Sequence, residues 1–297
     1  MNWQQFVMDL GPLDTDLVEN LLTSYGAHSV TLTDAGDKPV LEPAPGETPL
    51  WNDTRLTALF SDDVDLNVVA ERLKTSLNVT TLPDYRIEAL EDREWEREWL
   101  KDFGPMQFGK RLWVCPGDST AANDAVVVRL DPGLAFGTGT HPTTAMCLEW
   151  LDGVDLQSRS MLDYGCGSGI LAIAAIKLGA SRATAMDIDP QALTATRSNA
   201  EYNDVAGAIE ILPDDASIRG KYEIVVANIL SGPLVELAES ISLRLSSGGE
   251  LALSGILSDQ VNKIQAAYRP WIELDPPVYR SQGNQTWARL TGRRRDT

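Results

Sequence analysis

The sequence is short of the residues that metal sites and disulfide frameworks require. Histidine occurs only twice in 297 residues, at His28 and His141, so a site built from several histidines is not expected, and neither is a bound metal. The three cysteines, Cys115, Cys147 and Cys166, form an odd number and lack the spacing of metal ligands. This cysteine usage is typical of a reducing compartment, and we expect the protein in the cytoplasm.

Long apolar runs are lacking as well. The apolar run at 170–176 ends at Lys177 and is far shorter than the ~20 residues that a membrane-spanning helix needs. The stretch MNWQQFVMDLG has neither the basic segment nor the long apolar segment of a signal peptide. We therefore expect neither a membrane span nor a secretion signal.

Basic residues are scarce. Lysine and arginine number 25 against 43 aspartates and glutamates, which gives a formal net charge of −18. A nucleic-acid-binding surface needs a basic footprint, so no direct nucleic-acid site is expected. Solubility and attraction of a basic macromolecular partner both explain the negative charge, and the charge alone does not choose between them.

The first 90 residues show strand and helix patterns in the order strand-helix-strand-strand-helix-strand. The strand patterns are WQQFVMDL, HSVTLTD, RLTALF and DYRIEAL; Asp14 is placed to cap the first helix, and the second carries apolar residues at helical spacing from Leu66 to Leu77. This order predicts a small ferredoxin-like α+β domain at 1–90. No catalytic pattern lies in it, so we expect a domain that recognises the substrate.

A charged segment follows, EDREWEREWLKDF, with aromatic residues at every fourth position: Trp95, Trp99 and Phe103. This spacing predicts a helix with one aromatic stripe. We expect a connector helix at 91–104 whose stripe packs against a domain. Direct contact of one of these aromatics with a ligand is the alternative.

From 105 to 297, strand and helix patterns alternate, as in a parallel sheet with helices on both faces. The predicted strands are 161–165, 183–187, 208–212, 222–228, 250–255, 271–279 and 284–290, and the predicted helices are 168–178, 190–202, 231–245 and 258–268. The last two strands predict a hairpin that adds one antiparallel strand. The expected fold class is α/β, with a seven-stranded Rossmann-like sheet after the small N-terminal domain.

The stretch MLDYGCGSGI (161–170) reads as a strand, a glycine turn and the start of a helix, which is where open parallel sheets bind ligands. Gly165 and Gly167 match the dinucleotide fingerprint G-x-G-x-x-G, but its sixth position is Ile170 and the third glycine comes one residue early. Asp163 places a carboxylate beside the turn, which repels a pyrophosphate and suits a cationic ligand. A nicotinamide dinucleotide is therefore disfavoured.

A second carboxylate follows at the end of the next predicted strand. Asp187 lies 22 residues after Gly165, where it can accept hydrogen bonds from both hydroxyls of a ribose. Asp189 precedes Pro190 and is better explained as a helix N-cap. A ligand that combines a ribose with a cationic portion points to S-adenosylmethionine.

Polar residues also end the next two strands. Asp214 and Asp215 follow the third strand, where a carboxylate can meet the amino group of adenine; a solvated turn explains them equally well. Asn228 ends the fourth strand, in VVANIL. Its amide can accept from an incoming N–H, orient the amino-acid part of the cofactor, or simply cap the strand.

Several segments together resemble one known family. The run DPGLAFGTGTHPTT (131–144), followed by GCGSGILAIAA, DIDPQA and VVANIL, resembles the bacterial ribosomal protein L11 methyltransferase (PrmA) family, and PGETPLWND and WEREW extend the resemblance over nearly the whole chain. It implies methyl transfer from S-adenosylmethionine to the N-terminal α-amine and lysine side chains of ribosomal protein L11, free or in the ribosome. It also implies a substrate-recognising N-terminal domain and cofactor contacts at Thr144, Gly165, Asp187 and Asn228.

The glycine-rich loop at 131–144, the first of the two in the chain, is then expected to close over the cofactor from outside the sheet. Gly137 and Gly139 permit unusual backbone angles, and Thr144 opens the next helix with a hydroxyl free to bond. A phosphate-binding P-loop is excluded because no Gly-Lys-Ser/Thr follows. The predicted cofactor-binding residues are Gly139, Thr140, Thr144, Asp163, Gly165, Gly167, Asp187 and Asn228, and Asn228 is also the predicted catalytic residue.

The acceptor amine must arrive uncharged, and the sulfonium charge and desolvation both favour its neutral form. We therefore expect no dedicated general base; His141, which precedes Pro142 in a turn, is a weak candidate for one. The sequence after Asn228 lacks the Pro-Pro-aromatic platform of methyltransferases that act on planar nitrogens. Two alternatives stay open: another protein or small molecule as substrate, and a binding module without activity. A monomer is expected.

Overall fold

The computed structural model describes residues 3–36, 51, 53–90, 104–117, 119, 124–130 and 139–295. The chain divides into two compact units, Met1–Trp95 and Glu96–Thr297. The division falls within the connector predicted at 91–104, which, apart from Gly104, lies outside the described residues. The two units are therefore described separately.

The N-terminal unit follows the predicted order of elements. They are β1 (Trp3–Asp9), α1 (Thr15–Ser24), β2 (Ser29–Asp34), β3 (Thr54–Ser61), α2 (Leu66–Ser76) and β4 (Tyr85–Leu90). All neighbouring strands are antiparallel, in the order β2-β3-β1-β4. Alternate residues of β3, among them Leu56 and Phe60, are buried against the helices, and Asp14 caps α1 by accepting from the amide of Leu17 at 2.9 Å.

The second unit begins with a small sheet that the sequence did not predict. Its strands are β5 (Met106–Phe108), β6 (Leu112–Pro116) and β7 (Val126–Leu130); β5 pairs with β6 antiparallel, and β6 with β7 parallel. The strands are only three to five residues long, too short for a periodic pattern to identify them.

The large sheet carries the rest of the unit. Its elements are α3 (Pro142–Gly153), β8 (Ser160–Tyr164), α4 (Ile170–Lys177), β9 (Arg182–Met186), α5 (Pro190–Tyr202), β10 (Ile209–Leu212), β11 (Tyr222–Asn228), α6 (Ser231–Glu236), α7 (Ala238–Leu243), β12 (Leu245–Leu257), α8 (Val261–Tyr268), β13 (Ile272–Leu274), β14 (Val278–Gln282) and β15 (Gln285–Arg294). The strand order is β10-β9-β8-β11-β12-β15-β13, with β14 also on β15. The strands from β8 to β12 are mutually parallel, and β15 is the predicted antiparallel strand.

The predicted count of seven strands is corrected to eight. The segment predicted as one strand at 271–279 forms two, β13 and β14, because Pro276 and Pro277 lie between them and proline cannot donate to a ladder. Both strands pair with the same edge of β15, which faces β12 with its other edge. The helix predicted at 231–245 is likewise two helices, α6 and α7, separated at Leu237.

Buried residues on the two faces of the large sheet form separate core layers. Met161 and Val226 face one layer, while Leu162 and Val225 face the other, as the alternation of strand side chains requires. The apolar run at 170–176 is explained by α4, whose residues from Ile170 to Ala175 are all buried. Within the described residues, no helix is long and apolar enough to cross a membrane.

One buried carboxylate joins the small sheet to α3. Asp152 accepts from the backbone N–H of Lys110 at 2.6 Å and of Arg111 at 3.3 Å, and from Nε of Arg111 at 3.2 Å. A Cβ on Gly109 would overlap this carboxylate, so only glycine fits there.

Removal of this carboxylate is expected to destabilise the second unit. Asp152→Ala leaves two partly buried backbone amides without an acceptor and breaks a partly buried ion pair, at a cost of about 2–4 kcal/mol. The matched control is Asp155→Ala, which removes an exposed carboxylate bonded to one backbone amide and should cost about 0.5 kcal/mol. Urea unfolding followed by circular dichroism measures both variants, and equal losses would contradict a joining role for Asp152.

Candidate functional site

The strand order gathers three of the predicted side chains at one edge of the large sheet. Parallel β8 lies between β9 and β11, so the carboxyl ends of all three strands meet there. Asp163 is the fourth residue of β8, Asp187 follows the last residue of β9, and Asn228 is the last residue of β11. The strand order reverses between β8 and β11, and open parallel sheets commonly bind ligands in a crevice at the carboxyl ends of such strands.

The glycine turn after β8 requires its glycines for steric reasons. Gly165, Gly167 and Gly169 have φ values of 79°, 54° and 77°, in the left-handed region that other residues rarely adopt. A Cβ on Gly165 would overlap Cγ2 of Ile229, and one on Gly169 would lie 2.7 Å from Cγ2 of Thr196. The backbone of the turn can therefore approach both its neighbours and a ligand closely.

Asp187 is held by the turn beside which it lies. Its Oδ2 accepts from the backbone N–H of Gly167 at 2.9 Å, and its Oδ1 accepts from the N–H of Asp189 at 3.0 Å. Each carboxylate oxygen keeps a further lone pair, and the side chain is half-buried. The carboxylate is thus oriented in advance and can still accept two hydroxyl groups. Asp189 caps α5 by accepting from Gln191 N, as predicted.

Asp163 is buried, with 1% exposure, and only one of its oxygens is paired. Oδ2 accepts from the backbone N–H of Ala172 at 3.1 Å, whereas Oδ1 is buried with no hydrogen-bond partner. Burial raises the pKa of Asp163 to about 7, and the nearby charge of Asp187 adds to this. An unpaired buried carboxylate oxygen beside a glycine turn is a hydrogen-bond acceptor, and its charge when ionised suits a ligand that carries a positive charge and hydroxyl groups.

Asn228 is oriented by a residue from a distant part of the chain. Its Nδ2 donates to Oγ1 of Thr144 at 3.2 Å, and Thr144 is buried in the first turn of α3. This bond turns the amide so that its Oδ1 is the group left to accept from a ligand. The structure therefore brings together Thr144 and Asn228, two of the predicted cofactor-binding residues.

The C-terminal strands hold α3 in place. Nη2 of Arg280 on β14 bonds both carboxylate oxygens of Glu149, at 2.7 and 2.9 Å. Nη1 of Arg289 on β15 donates to the backbone carbonyl of Met146. Two contacts from the antiparallel hairpin thus fix the helix that carries Thr144.

His141 has a structural role. Its Nδ1 accepts from the backbone N–H of Thr143 at 3.4 Å, so it is the N-cap of α3, and its ring meets the ring of Trp287 edge-on at 4.6 Å. Burial lowers the pKa of His141. These contacts agree with the interpretation of His141 as a turn residue and not as a general base.

The remaining predicted positions are less directly tied to the crevice. Gly139 is buried with φ of 90°, and a Cβ there would lie 3.2 Å from Cζ of Phe108 on β5. Thr140 is exposed, and the earlier part of this loop, 131–138 with Gly137, lies outside the described residues.

The two carboxylates after β10 are engaged locally. Asp214 accepts from the backbone N–H of Ser217 at 2.7 Å, and Asp215 accepts from Oγ of Ser240 at 2.9 Å and from Arg244 at 3.3 Å. These bonds favour the turn over contact with adenine as the explanation of both residues.

A stripe of polar residues on α5, which the sequence analysis missed, supports the glycine turn. Oγ1 of Thr196 donates to the carbonyl of Gly167 at 3.0 Å, and Nδ2 of Asn199 donates to the carbonyl of Ser168 at 2.9 Å. Both side chains are buried. The signal that could have found them is polar residues at helical spacing among alanines, on a face where apolar residues were expected.

The same stripe continues to the small sheet. Asn203 accepts from the backbone N–H of Arg129 at 2.8 Å and donates to its carbonyl at 2.6 Å. Arg129 lies on β7, which leads into the first glycine-rich loop. Thr196 and Asn199 on α5, with Asn203 at its C-cap, therefore fix both the glycine turn and strand β7.

Other chemistry finds little support in the described part of the chain. It contains no group of three or more histidine, cysteine, aspartate or glutamate side chains placed to hold a metal ion. All three cysteines are free and buried, and burial raises the pKa of Cys115, Cys147 and Cys166. Thiols of this kind are poor nucleophiles.

Comparison with known proteins shows the family to which the chain belongs. The family model described as ribosomal protein L11 methyltransferase (PrmA) matches residues 2–295. Proteins named ribosomal protein L11 methyltransferase from Shewanella sediminis and Shewanella amazonensis are each 48% identical to this chain over 99% of its length, and the match covers 100% and 99% of their own lengths.

A solved structure is similar over the part that it shares with this chain. The ribosomal protein L11 methylase of Lactobacillus delbrueckii subsp. bulgaricus superposes with a TM-score of 0.59 at 32% identity, over 65% of this chain and 100% of that one. The match of the family model over nearly the whole length is the wider finding. The chain belongs to the ribosomal protein L11 methyltransferase (PrmA) family.

Proposed function

We propose that this protein transfers methyl groups from S-adenosylmethionine to the N-terminal α-amine and to lysine ε-amines of ribosomal protein L11. Family membership makes it an S-adenosylmethionine-dependent methyltransferase of ribosomal protein L11. The observation that carries the choice of amines is the Asn228 amide, held by Thr144 at the same sheet edge as Asp163 and Asp187. An amide in that position accepts from a primary amine without requiring an aromatic platform.

The residues of the crevice fit the cofactor. When bound, S-adenosylmethionine supplies an electrophilic methyl group on a positively charged sulfur. Asp187 would accept from the ribose hydroxyls, and the glycine turn allows the backbone close approach beneath them. The unpaired oxygen of Asp163 gives the site an acceptor and, once ionised, a charge that favours a cation. Ile188, which is 84% exposed beside Asp187, offers an apolar surface for a planar ring.

The acceptor amine has to lose its proton before it reacts. With a lysine pKa near ~10.4, about one amine in a few thousand is neutral at pH 7. Desolvation beside a cation favours that neutral form, and Oδ1 of Asn228 can accept one of its N–H groups. His141 is occupied as the N-cap of α3, which supports a mechanism that depends on positioning without a dedicated base.

The roles of the domains are part of the proposal. We assign 1–90 as a ferredoxin-like substrate-recognition domain, 91–104 as a connector helix and 105–297 as the methyltransferase domain. The element order β1-α1-β2-β3-α2-β4 supports the first assignment. Fifteen acidic and five basic residues lie in 1–90, so this domain carries much of the negative charge, as suits a basic ribosomal protein.

The setting of the reaction follows from the same features. We propose a monomer that works in the cytoplasm, with neither nucleic acid nor a membrane as a partner. Three free, buried cysteines and the acidic composition support this proposal.

The direct test combines methyl-labelled S-adenosylmethionine with unmethylated large-subunit ribosomal proteins. Intact mass spectrometry should show gains in steps of about 14 daltons on ribosomal protein L11, and fragmentation should place them on the N-terminal amine and on lysines. Labelling of another protein, or of other side chains, would contradict the proposed acceptor. Cofactor binding without any labelled ribosomal protein would overturn the assignment of ribosomal protein L11 as the substrate.

Replacement of the amide tests the role of Asn228. Asn228→Ala should lower kcat by about 10²-fold and change the Kd of S-adenosylmethionine much less, because the amide positions the acceptor. The matched control is Asn262→Ala on α8, which removes an exposed amide of the same unit. Single-turnover kinetics and calorimetric titration separate the two quantities. A loss of affinity with unchanged kcat would make Asn228 a cofactor ligand only.

The state of Asp163 should make cofactor binding depend on pH. The pKa of Asp163 is about 7 in the folded protein and 3.8 in the unfolded chain. The unbound protein therefore loses stability as the pH rises from 3.8 to about 7. Only the ionised form attracts a cation, so the affinity for S-adenosylmethionine should rise between pH 6 and 8, by at most about tenfold per pH unit.

Calorimetric titration of wild type and Asp163→Asn isolates this effect, because protons that the cofactor itself exchanges are common to both. The variant should bind more weakly and lose the rise. Asp259→Asn, which removes an exposed charge, should behave like the wild type. Equal pH profiles for Asp163→Asn and wild type would show that Asp163 does not titrate with binding.

A further inference from the structure

Strand β12 contains a bulge directly beside Asn228. Leu253 pairs with Leu290 of β15 and Ile256 pairs with Ala288, so two residues of β12, Ser254 and Gly255, lie opposite one residue of β15. On the other edge of β12, Ser254 is in register with Asn228 of β11. Gly255 has φ of 84°, the left-handed conformation that bulges commonly place at a glycine.

Gly255 leaves room for the backbone of the residue after Asn228. A Cβ on Gly255 would overlap the carbonyl oxygen of Ile229 and would lie 2.8 Å from its carbonyl carbon. The side chain of Ile229 faces Gly165 in the same way, since a Cβ there would overlap its Cγ2. Ile229 therefore lies between two left-handed glycines, one on β12 and one in the glycine turn.

Ser254 acts on the other partner of the amide. It is fully buried, and its Oγ lies 3.2 Å from the carbonyl of Thr143 and 3.4 Å from the carbonyl of Ala288. Thr143 directly precedes Thr144, whose hydroxyl accepts from Nδ2 of Asn228. The Ser254 hydroxyl thus ties the first turn of α3 to the bulge.

We infer that Ser254 and Gly255 are positioning residues for methyl transfer, which act through Asn228. Gly255 sets the backbone after Asn228, and Ser254 sets the helix turn that orients its amide. Bulges beside active sites commonly re-aim a side chain in this way. The inference rests on the proposed function, because it takes Asn228 as the residue that holds the acceptor amine.

A purely structural role for the bulge makes a different prediction. It would lower stability and leave the kcat of the folded enzyme unchanged. A positioning role lowers kcat because a displacement of about 1 Å can reduce a rate by about 10²-fold. It also makes the effect depend on the presence of the Asn228 side chain.

The first experiment compares two glycines of β12. Gly255→Ala introduces both a strained φ and an overlap with Ile229, whereas Gly248→Ala, at φ of 69° and with no atom within 4 Å of its Cβ, introduces only the strain. With ribosomal protein L11 as the substrate, Gly255→Ala should lower kcat by about 10- to 100-fold, with the Kd of S-adenosylmethionine within about threefold of wild type. Equal kcat values for the two variants would overturn the inference.

A double-mutant cycle adds the readout that a structural role does not give. Ser254→Ala, which opens little space, should lower kcat by several-fold in the wild-type background and have no further effect in Asn228→Ala. The same non-additivity is expected for Gly255→Ala. Full additivity in both backgrounds would show that the bulge does not act through Asn228, and Ser254→Ala keeps this test open where Gly255→Ala does not fold.

The side-chain amide of Asn228 gives a measurement that needs no substrate. Its ¹H–¹⁵N resonances, assigned by their loss in Asn228→Ala, should shift in Gly255→Ala and Ser254→Ala and stay in place in Gly248→Ala. If wild type fails to methylate ribosomal protein L11 but these shifts occur, the proposed substrate falls and the placement of Asn228 by the bulge stands. Unshifted resonances in both bulge variants would overturn the inference alone.

Discussion

The burial of one carboxylate, that of Asp163, is the constraint on which the site depends. One oxygen accepts the amide of Ala172 and so supports the start of α4, where the N-cap Gly169 has no side chain to do so. The other oxygen is buried without a partner, so ionisation opposes folding unless a cation or a donor arrives. The site is therefore poorly matched to a pyrophosphate and well matched to a cation, although the turn that follows is rich in glycine.

Steric contacts convert this electrostatic preference into a defined geometry. Ile229 is enclosed by Gly165 on one side and Gly255 on the other, and Thr196 lies against Gly169. In a close-packed interior, a displaced group pushes on its neighbours. Each of these close contacts therefore restricts the position of the chain segment that packs against the glycine. Gly255 lies on β12 and Thr196 on α5, so the turns that carry Gly165, Gly169 and Ile229 are held against regular secondary structure.

The sequence predicted those parts of the fold and the site whose signal is local. Strand and helix order, the antiparallel strand β15 and the gathering of Asp163, Asp187 and Asn228 all follow from periodicity and strand ends. The apolar pattern at 271–279 predicts one strand, but Pro276 and Pro277 divide this segment into β13 and β14. The pairing of Thr144 with Asn228, 84 residues apart, and the bulge at Gly255 depend on tertiary register, which no local pattern contains. Buried polar residues on α5, Thr196 and Asn199, lie where an apolar pattern predicts apolar side chains. Local sequence patterns commonly fail in this way at functional sites.

The charge of the protein and the chemistry of the amine place opposite demands on the molecule. A net charge of −18 attracts protonated lysines from a distance, which favours encounter with a basic substrate. The reaction requires the same amine without its proton. An amide such as Asn228 accepts from charged and neutral amines alike, so it cannot select between them. The selection must come from desolvation at the end of β11, where Asn228 is half-buried, and from the positive charge of the cofactor, both of which disfavour a second cation. Attraction of the protonated amine and reaction of the neutral amine therefore depend on different properties: the net negative charge of the protein for the first, and the exclusion of water and of a second cation around the reacting nitrogen for the second.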